Sequence, residues 1–412
     1  MAGDKDLHFL EFYHHVAAPS MSVDNFDQAF WSRSCLQMAQ SEESIRHALI
    51  AIGYLNRSQT GSLKSARSNL VATTGQETFL THYNKALRSV ADRIASPSYT
   101  PEVALVSCFI FVGIEILRGN YDAAMLHYTN GLRIIQSLRI TQRKAKSPTL
   151  GSDLIETSLL PLFHRLLTTG IMYGVPTDLA LSLVSCAPLP HQPFSSLLEA
   201  QSSMHELRNQ ALLFIRHMGD NFRPIVPTPR VKLLDQKALL AALDDWNTSF
   251  APLEKPTDLS TPDVLTIHGL KASSVFLTIL LTSITDTSQC AIDRHLSLFQ
   301  SLLSHCEPII GFSEEERKKA SPAAANFTFE LVVIPYLNFV ATRCRCPVTR
   351  RRAVELMERN LPREGLWDGR QQAVVARRLI EIEEVGREGE GGMVDERGWP
   401  REEARVASEL LF

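Results

Sequence analysis

Several short constellations in this sequence carry residue types that do chemistry. Arg46 and His47 are adjacent inside an apolar helical pattern, where they could bind an acidic effector. The commoner outcome is structural: the arginine finds a carboxylate and the histidine completes a core hydrogen bond. Glu115 and Arg118 lie one turn apart in the most apolar stretch. They could line an effector pocket, but an ion pair is the expectation. His14 and His15 have no acidic or cysteine partner at ligand spacing, which argues against a metal. Cys344 and Cys346 lack a second close pair and read as packed thiols. Asp244-Asp245 starts like the aspartate-rich metal motif of enzymes acting on prenyl diphosphates. The following W-N-T-S-F-A-P supplies no further acid, so a helix end with Trp246 packed inward is expected.

Two basic runs invite a nuclear-import or phosphate-binding reading: Arg350-Arg351-Arg352, and Arg143-Lys144 with Lys146. Yet residues 341–412 hold 14 arginines and 14 acidic residues with no lysine, a balance that describes solvated helices laced with ion pairs. The chain contains no G-x-S-x-G elbow, no G-x-x-x-x-G-K-[ST] phosphate loop and no H-E-x-x-H. No catalytic, metal-binding, cofactor-binding or DNA-contacting residue is therefore assigned, no cofactor is expected, and the chain does not read as an enzyme.

Positioning falls to helices. The stretch from Thr100 to Arg139 sets the plan. Thr100 suits a helix cap and Pro101 the first helical position, where no amide donor is needed. From Val103 to Leu117 almost every residue is apolar, so this helix must be buried on all sides. Gly119-Asn120 breaks it, and a second helix follows with Ala124, Tyr128, Leu132, Ile135 and Leu138 on one stripe. Small residues at Ala124 and Gly131 favour close contact, as in a tetratricopeptide hairpin, but no second copy occurs at that repeat's spacing.

Elsewhere the apolar period is helical throughout. A first helix is expected to end near Pro19, another to start at Ser41, and a stripe of Phe79, Leu80, Tyr83, Ala86, Leu87, Val90 and Ile94 to form a third. Residues 57–75 read as an exposed loop and 141–152 as a polar connector. Later helices are expected over 197–218, 233–250, 262–284, 290–306, 323–342, 349–360 and 371–384, with Pro335 kinking the one that contains it. The expected fold is all-α, a solenoid-like bundle of antiparallel helical hairpins over residues 1–385. Residues 386–412 form a glycine- and charge-rich tail, expected to be flexible, with a short helix or an activation-type segment at its end.

Of 412 residues, 44% are hydrophobic and 21% charged, an ordinary globular balance, and the net charge of -3 provides no global field toward nucleic acid or membrane. The longest apolar run, Val103–Ile114, is too short to span a bilayer. The first residues are acidic where a signal peptide needs an apolar run, and seven scattered cysteines suit a reducing compartment.

Four blocks together resemble the regulatory region of fungal zinc-binuclear-cluster transcription factors. They are F-W-S-R-S-C-L-Q-M-A-Q-S-E-E-S-I-R-H-A-L-I-A-I-G-Y-L at 30–55, F-L-T-H-Y-N-K-A-L at 79–87, C-F-I-F-V-G-I-E-I-L-R-G-N-Y-D-A-A-M-L-H-Y-T-N-G-L-R-I-I at 108–135, and C-R-C-P-V-T-R-R-R-A-V-E-L-M-E-R-N-L-P-R-E-G-L-W-D at 344–368. They occur in the family's order, with a looser match over 150–320. The family's six-cysteine DNA-binding cluster has no counterpart, since no C-x2-C pair occurs. The resemblance implies a nuclear transcription regulator, of a secondary-metabolite gene cluster by family likeness, working through protein partners: the transcription machinery or a DNA-binding factor. A second copy of the chain and a small-molecule effector stay open as partners. Direct high-affinity DNA binding and membrane association are not expected, and a helical adaptor outside transcription is the alternative.

Overall fold

The computed structural model describes residues 4–21, 28–58, 76–146, 151–184, 192–222, 235–255, 259–286, 288–319, 326–385 and 394–406. These are helical nearly throughout. Among the described residues the strands are two residues each, β1 (Phe327–Thr328) and β2 (Arg363–Glu364), so the all-α expectation holds. The contacts sort into two compact units where the sequence suggested one domain, as befits a chain longer than a single core usually supports. One unit comprises Met1–Leu183, Arg317–Leu331 and Pro362–Asp368; the other comprises Val184–Glu316, Val332–Leu361 and Gly369–Phe412.

In the first unit, α1 (Asp4–Phe12) passes through a π turn, Tyr13–Ala17, into a last turn at Ala18–Met21. The helix thus continues past Pro19, where the sequence suggested an end. A proline ring presses on the carbonyl four residues back. For Pro19 that residue is His15, inside the π turn, whose wider spacing relieves the clash. The same arrangement recurs at Ile155–Leu159, two residues before Pro161. A third π turn, Phe30–Ser34, leads into α2 (Cys35–Ser41), and an extended Glu42 separates it from α3 (Glu43–Ser58). Ser41 does not cap α3; its hydroxyl bonds back to the Met38 carbonyl. In α4 (Gln76–Ala95) Phe79, Tyr83 and Ala86 are buried, but Leu80 and Ile94 are exposed, so only part of the apolar stripe is core. The loop expected over 57–75 lies, from 59 on, outside the described residues.

The central hairpin is α5 (Pro101–Arg118) and α6 (Tyr121–Ala145). Thr100 occupies the cap position without a side-chain capping bond, and α5 is buried almost continuously from Val103 to Leu117. Gly119 takes the left-handed conformation, φ 70°, which returns its amide to Ile116 and that of Asn120 to Glu115. Ala124, Tyr128, Gly131, Leu132 and Ile135 of α6 are buried. The helix runs on through 141–145, shortening the expected connector, and Lys146 ends it at φ 52°. α3 packs against α4 and α5, and α5 against α6. α7 (Leu160–Met172) adds Phe163 to this core. β1 and β2 pair in parallel, and the ring of Phe329 just after β1 stacks on Trp31 at 5.2 Å. That ring also presses on Gly113, where a Cβ would lie 2.8 Å from it, which explains a glycine in the middle of an apolar helix.

In the second unit, α8 (Leu197–Phe222), α9 (Gln236–Phe250) and α10 (Thr261–Ser283) pack together. Asp235 caps α9 by accepting from the Ala238 amide, and Ser260 caps α10 from Asp263. By length and composition α10 could cross a membrane, but 56% of its most apolar window is buried within the protein. Its Ser273 hydroxyl meets Tyr336 at 2.6 Å, as a core helix requires. α11 (Leu296–Lys319) extends well beyond the expected end near 306, through Pro308. The helix expected over 323–342 is corrected: 320–325 lie outside the described residues, 326–333 contain β1, and α12 (Ile334–Arg343) begins only there. Pro335 starts this helix rather than kinking one. α13 (Pro347–Glu358) and α14 (Gly369–Val385) follow.

Of the tail, 386–393 and 407–412 lie outside the described residues, but 394–406 are folded. Val394 bridges Pro400, and Glu402–Ala404 make a 3-10 turn. Polar contacts that composition could not reveal hold this segment. Glu402 accepts from the amides of Gln289 (2.6 Å) and Cys290 (2.8 Å) and from the Ser288 hydroxyl (2.8 Å). The Cys290 thiol first, and then these donors, hold its carboxyl down at about 2.

Candidate functional site

In the first unit, Arg46 and His47 part company. Among the described residues Arg46 finds no carboxylate; it donates to the Ala39 carbonyl at 3.3 Å. His47 of α3 does complete a core hydrogen bond, but its partner is another histidine: its Nδ1 lies 2.9 Å from Nδ1 of His82 on α4. At the outer ends, His47 Nε2 is 3.4 Å from Glu43 and His82 Nε2 is 3.1 Å from Asp6 of α1. Burial lowers both histidines below the ordinary value. Repulsion from His82 and Lys85 adds to this at His47, and Glu43 opposes it in part; at His82, Lys85 adds and Asp6 opposes. The unfolded chain therefore takes up these protons first. The contribution to stability is full above the ordinary histidine range and falls as pH drops below it. The thermal midpoint should be lower at pH 5.5 than at 7.5, roughly one unit either side of the free histidine value. A His47→Asn, His82→Asn variant should flatten that slope, and an unchanged slope would refute the assignment.

Glu115 and Arg118 form the expected ion pair. Glu115 is fully buried and accepts from Arg118 Nη1 at 2.8 and 2.9 Å. The guanidinium lies over Phe79 and Tyr83, at 5.2 and 5.8 Å from the ring centres. Burial, and then the Glu115 carboxylate, push the Tyr83 phenol up. His14 and His15 are exposed, and among the described residues no group of three potential metal ligands gathers.

In the second unit, Trp246 packs inward beside Asp244-Asp245, donating to the Ala200 carbonyl at 3.2 Å and stacking on Phe250. Cys344 is buried and Cys346 half-buried, both as free thiols, and burial pushes Cys344 up to about 12. The Arg350-Arg351-Arg352 run is engaged residue by residue. Arg350 is fully buried and binds Glu383 at 2.8 Å; Arg351 binds Glu384; Arg352 reaches Glu307 at 2.8 Å and Glu355 at 3.3 Å. The other basic run, Arg143, Lys144 and Lys146, is exposed at the carbonyl end of α6, where cations suit the helix dipole.

The feature that sequence reasoning missed surrounds Glu383. This carboxylate is fully buried and is shared by Arg350 and Arg345, the latter at 2.7 Å. The Val406 amide donates to it at 3.0 Å. Arg405 grips Asp293 through two bonds of 2.9 and 2.6 Å. Burial pulls Arg345 down to about 10, against the pull of Glu383. The only trace in sequence was the equal count of arginines and acids near the C-terminus.

Residues 8–326 match the family described as the fungal specific transcription factor domain. The chain belongs to this family. Among curated proteins, the fungal factor chain is similar to the aspercryptin biosynthesis cluster-specific transcription regulator of Emericella nidulans. The two are 21% identical over 433 aligned positions, covering 85% of this chain and 69% of the relative. A transcription regulator of Purpureocillium lilacinum is 27% identical over 136 positions, 32% of this chain and 30% of the relative. No solved structure matches the chain.

Proposed function

We propose that this protein regulates transcription of a secondary-metabolite gene cluster through protein–protein contacts. The observation that carries the reading is the family match across residues 8–326. The first relative's name, which specifies a biosynthesis cluster, supports the narrower target. The residues whose types could do chemistry bear on mechanism. Glu115 is closed by Arg118, Cys344 is a buried thiol that burial keeps protonated, and Trp246 turns the Asp244-Asp245 helix end into core. Those roles are structural, in keeping with a regulator and not an enzyme. The partners proposed are the transcription machinery, a DNA-binding factor or a second copy of the chain, in the nucleus, with no high-affinity DNA contact from this stretch itself.

Deletion should change transcript levels across a candidate biosynthetic cluster while leaving unrelated genes alone. Unchanged transcripts, together with a tagged protein excluded from the nucleus, would favour a helical adaptor instead. A tight, sequence-specific gel shift by the isolated chain would contradict the proposed division of labour.

A further inference from the structure

Around Glu383 the guanidinium groups outnumber the carboxylates that answer them. Arg345 and Arg350 share that one carboxylate. Asp293 is taken by Arg405 and Glu384 by Arg351, with Arg350 Nη1 a distant 3.6 Å from Glu384. Arg343 is left over. It is half-buried at the end of α12, near enough to feel the charges of Glu383 and Arg405, and it makes no ion pair among the described residues. Its Nη1 is buried without a hydrogen-bond partner, and so are Nε of Arg345 and Nη1 of Arg350.

Among the described residues five arginines (343, 345, 350, 351 and 405) thus face three acids (Glu383, Glu384 and Asp293), a surplus of two positive charges. Glu402 lies beyond Arg405 with its oxygens committed to Ser288, Gln289 and Cys290. Even with its charge counted, one guanidinium charge stays unanswered among the described residues. A buried histidine or lysine can shed such a charge by losing its proton, whereas an arginine cannot. An unanswered buried cation is costly, and the remedy the chemistry offers is an anion.

We propose that Arg343, backed by the unpartnered N–H groups of Arg345 and Arg350, is the entrance to a binding site for a small phosphate-type oxyanion. A planar guanidinium matches two oxygens of such a group, and the further N–H groups of Arg345 and Arg350 suit a third oxygen, which a carboxylate lacks. The partial exposure of Arg343 gives the anion a way in from solvent. This assignment does not rest on the transcription reading; phosphate binding and transcript response can succeed or fail separately.

The test is thermal unfolding of the full chain with inorganic phosphate against sodium chloride at matched ionic strength. At roughly ten times the dissociation constant the midpoint should rise by about 3 °C. Arg343→Gln should abolish the rise while leaving the phosphate-free midpoint unchanged or higher, because it removes an unanswered charge. Arg352→Gln, which alters an exposed pair, should retain it. No rise with phosphate, or an equal rise in the Arg343→Gln variant, overturns the site. An equal rise with acetate overturns the phosphate-type assignment. Calorimetric titration of the unaltered chain decides independently of any variant: no saturable heat at millimolar phosphate sinks the proposal.

Discussion

Replacing Glu383 with glutamine is expected to destabilise the second unit by about 3–5 kcal/mol. The substitution is nearly isosteric, so the effect isolates charge. Arg345 and Arg350, both buried, would keep their positive charges and lose the nearest carboxylate, leaving Arg350 only Glu384 at 3.6 Å. Neither can respond by deprotonating at ordinary pH. The amide of Val406 would still find an oxygen, so the tail contact is weakened less than the ion pairs. A matched control separates the worth of the network from the cost of breaking it. Arg345→Met, Arg350→Met and Glu383→Leu together remove all three charges, and that triple variant should lie within about 1–2 kcal/mol of the parent. Urea midpoints for the single and triple variants make the comparison. A Glu383→Gln variant as stable as the parent would show that water or another anion already answers these arginines.

The same network marks where sequence stopped being informative. The all-α class, the buried α5 and the break at Gly119 follow from local pattern, because a fully apolar run and a left-handed glycine have few alternatives. The Glu115–Arg118 pair was legible for the same reason: its partners are one turn apart. His47 could be seen to need a partner, but His82 is 35 residues away, and no helical period links them. Arg345 and Glu383 are 38 residues apart, and composition could report only that charges balance, not that Arg345, Arg350 and Glu383 are buried together. The helix misassigned to 323–342 failed on a local conflict. Val332–Tyr336 is apolar enough for helix, yet Pro335 fits only the first turn, so the residues before it were free to pair as β1. The tail failed because glycine and charge suggest solvation unless a distant partner, here Asp293 or the Gln289 and Cys290 amides, captures the side chains.

The contact of Phe163 with Gly131 offers the second large effect, and one with a change of sign. Phe163 is fully buried, stacked on Tyr128 with ring centres 5.7 Å apart, and Tyr128 donates to the Phe163 carbonyl at 2.8 Å. Phe163→Ala should cost about 3–5 kcal/mol through lost burial and the cavity left behind. Gly131 faces that ring from α6. A Cβ built there would lie 2.3 Å from Phe163 Cε1, which no real contact tolerates, while Cys108 of α5 bounds the other side at 3.5 Å. Two terms compete in Gly131→Ala. Alanine is the better helix former by roughly 1 kcal/mol, but overpacking against a ring clamped by Tyr128 costs about 1–3 kcal/mol. The net should be destabilising in the parent. In the Phe163→Ala background the ring is gone and only the helix term remains, so Gly131→Ala should then stabilise by up to about 1 kcal/mol. A double-mutant cycle on urea midpoints reads the reversal directly. If Gly131→Ala carries the same sign in both backgrounds, the glycine is not there to admit the ring, and the close approach of α6 to Phe163 is not what holds this side of the hairpin.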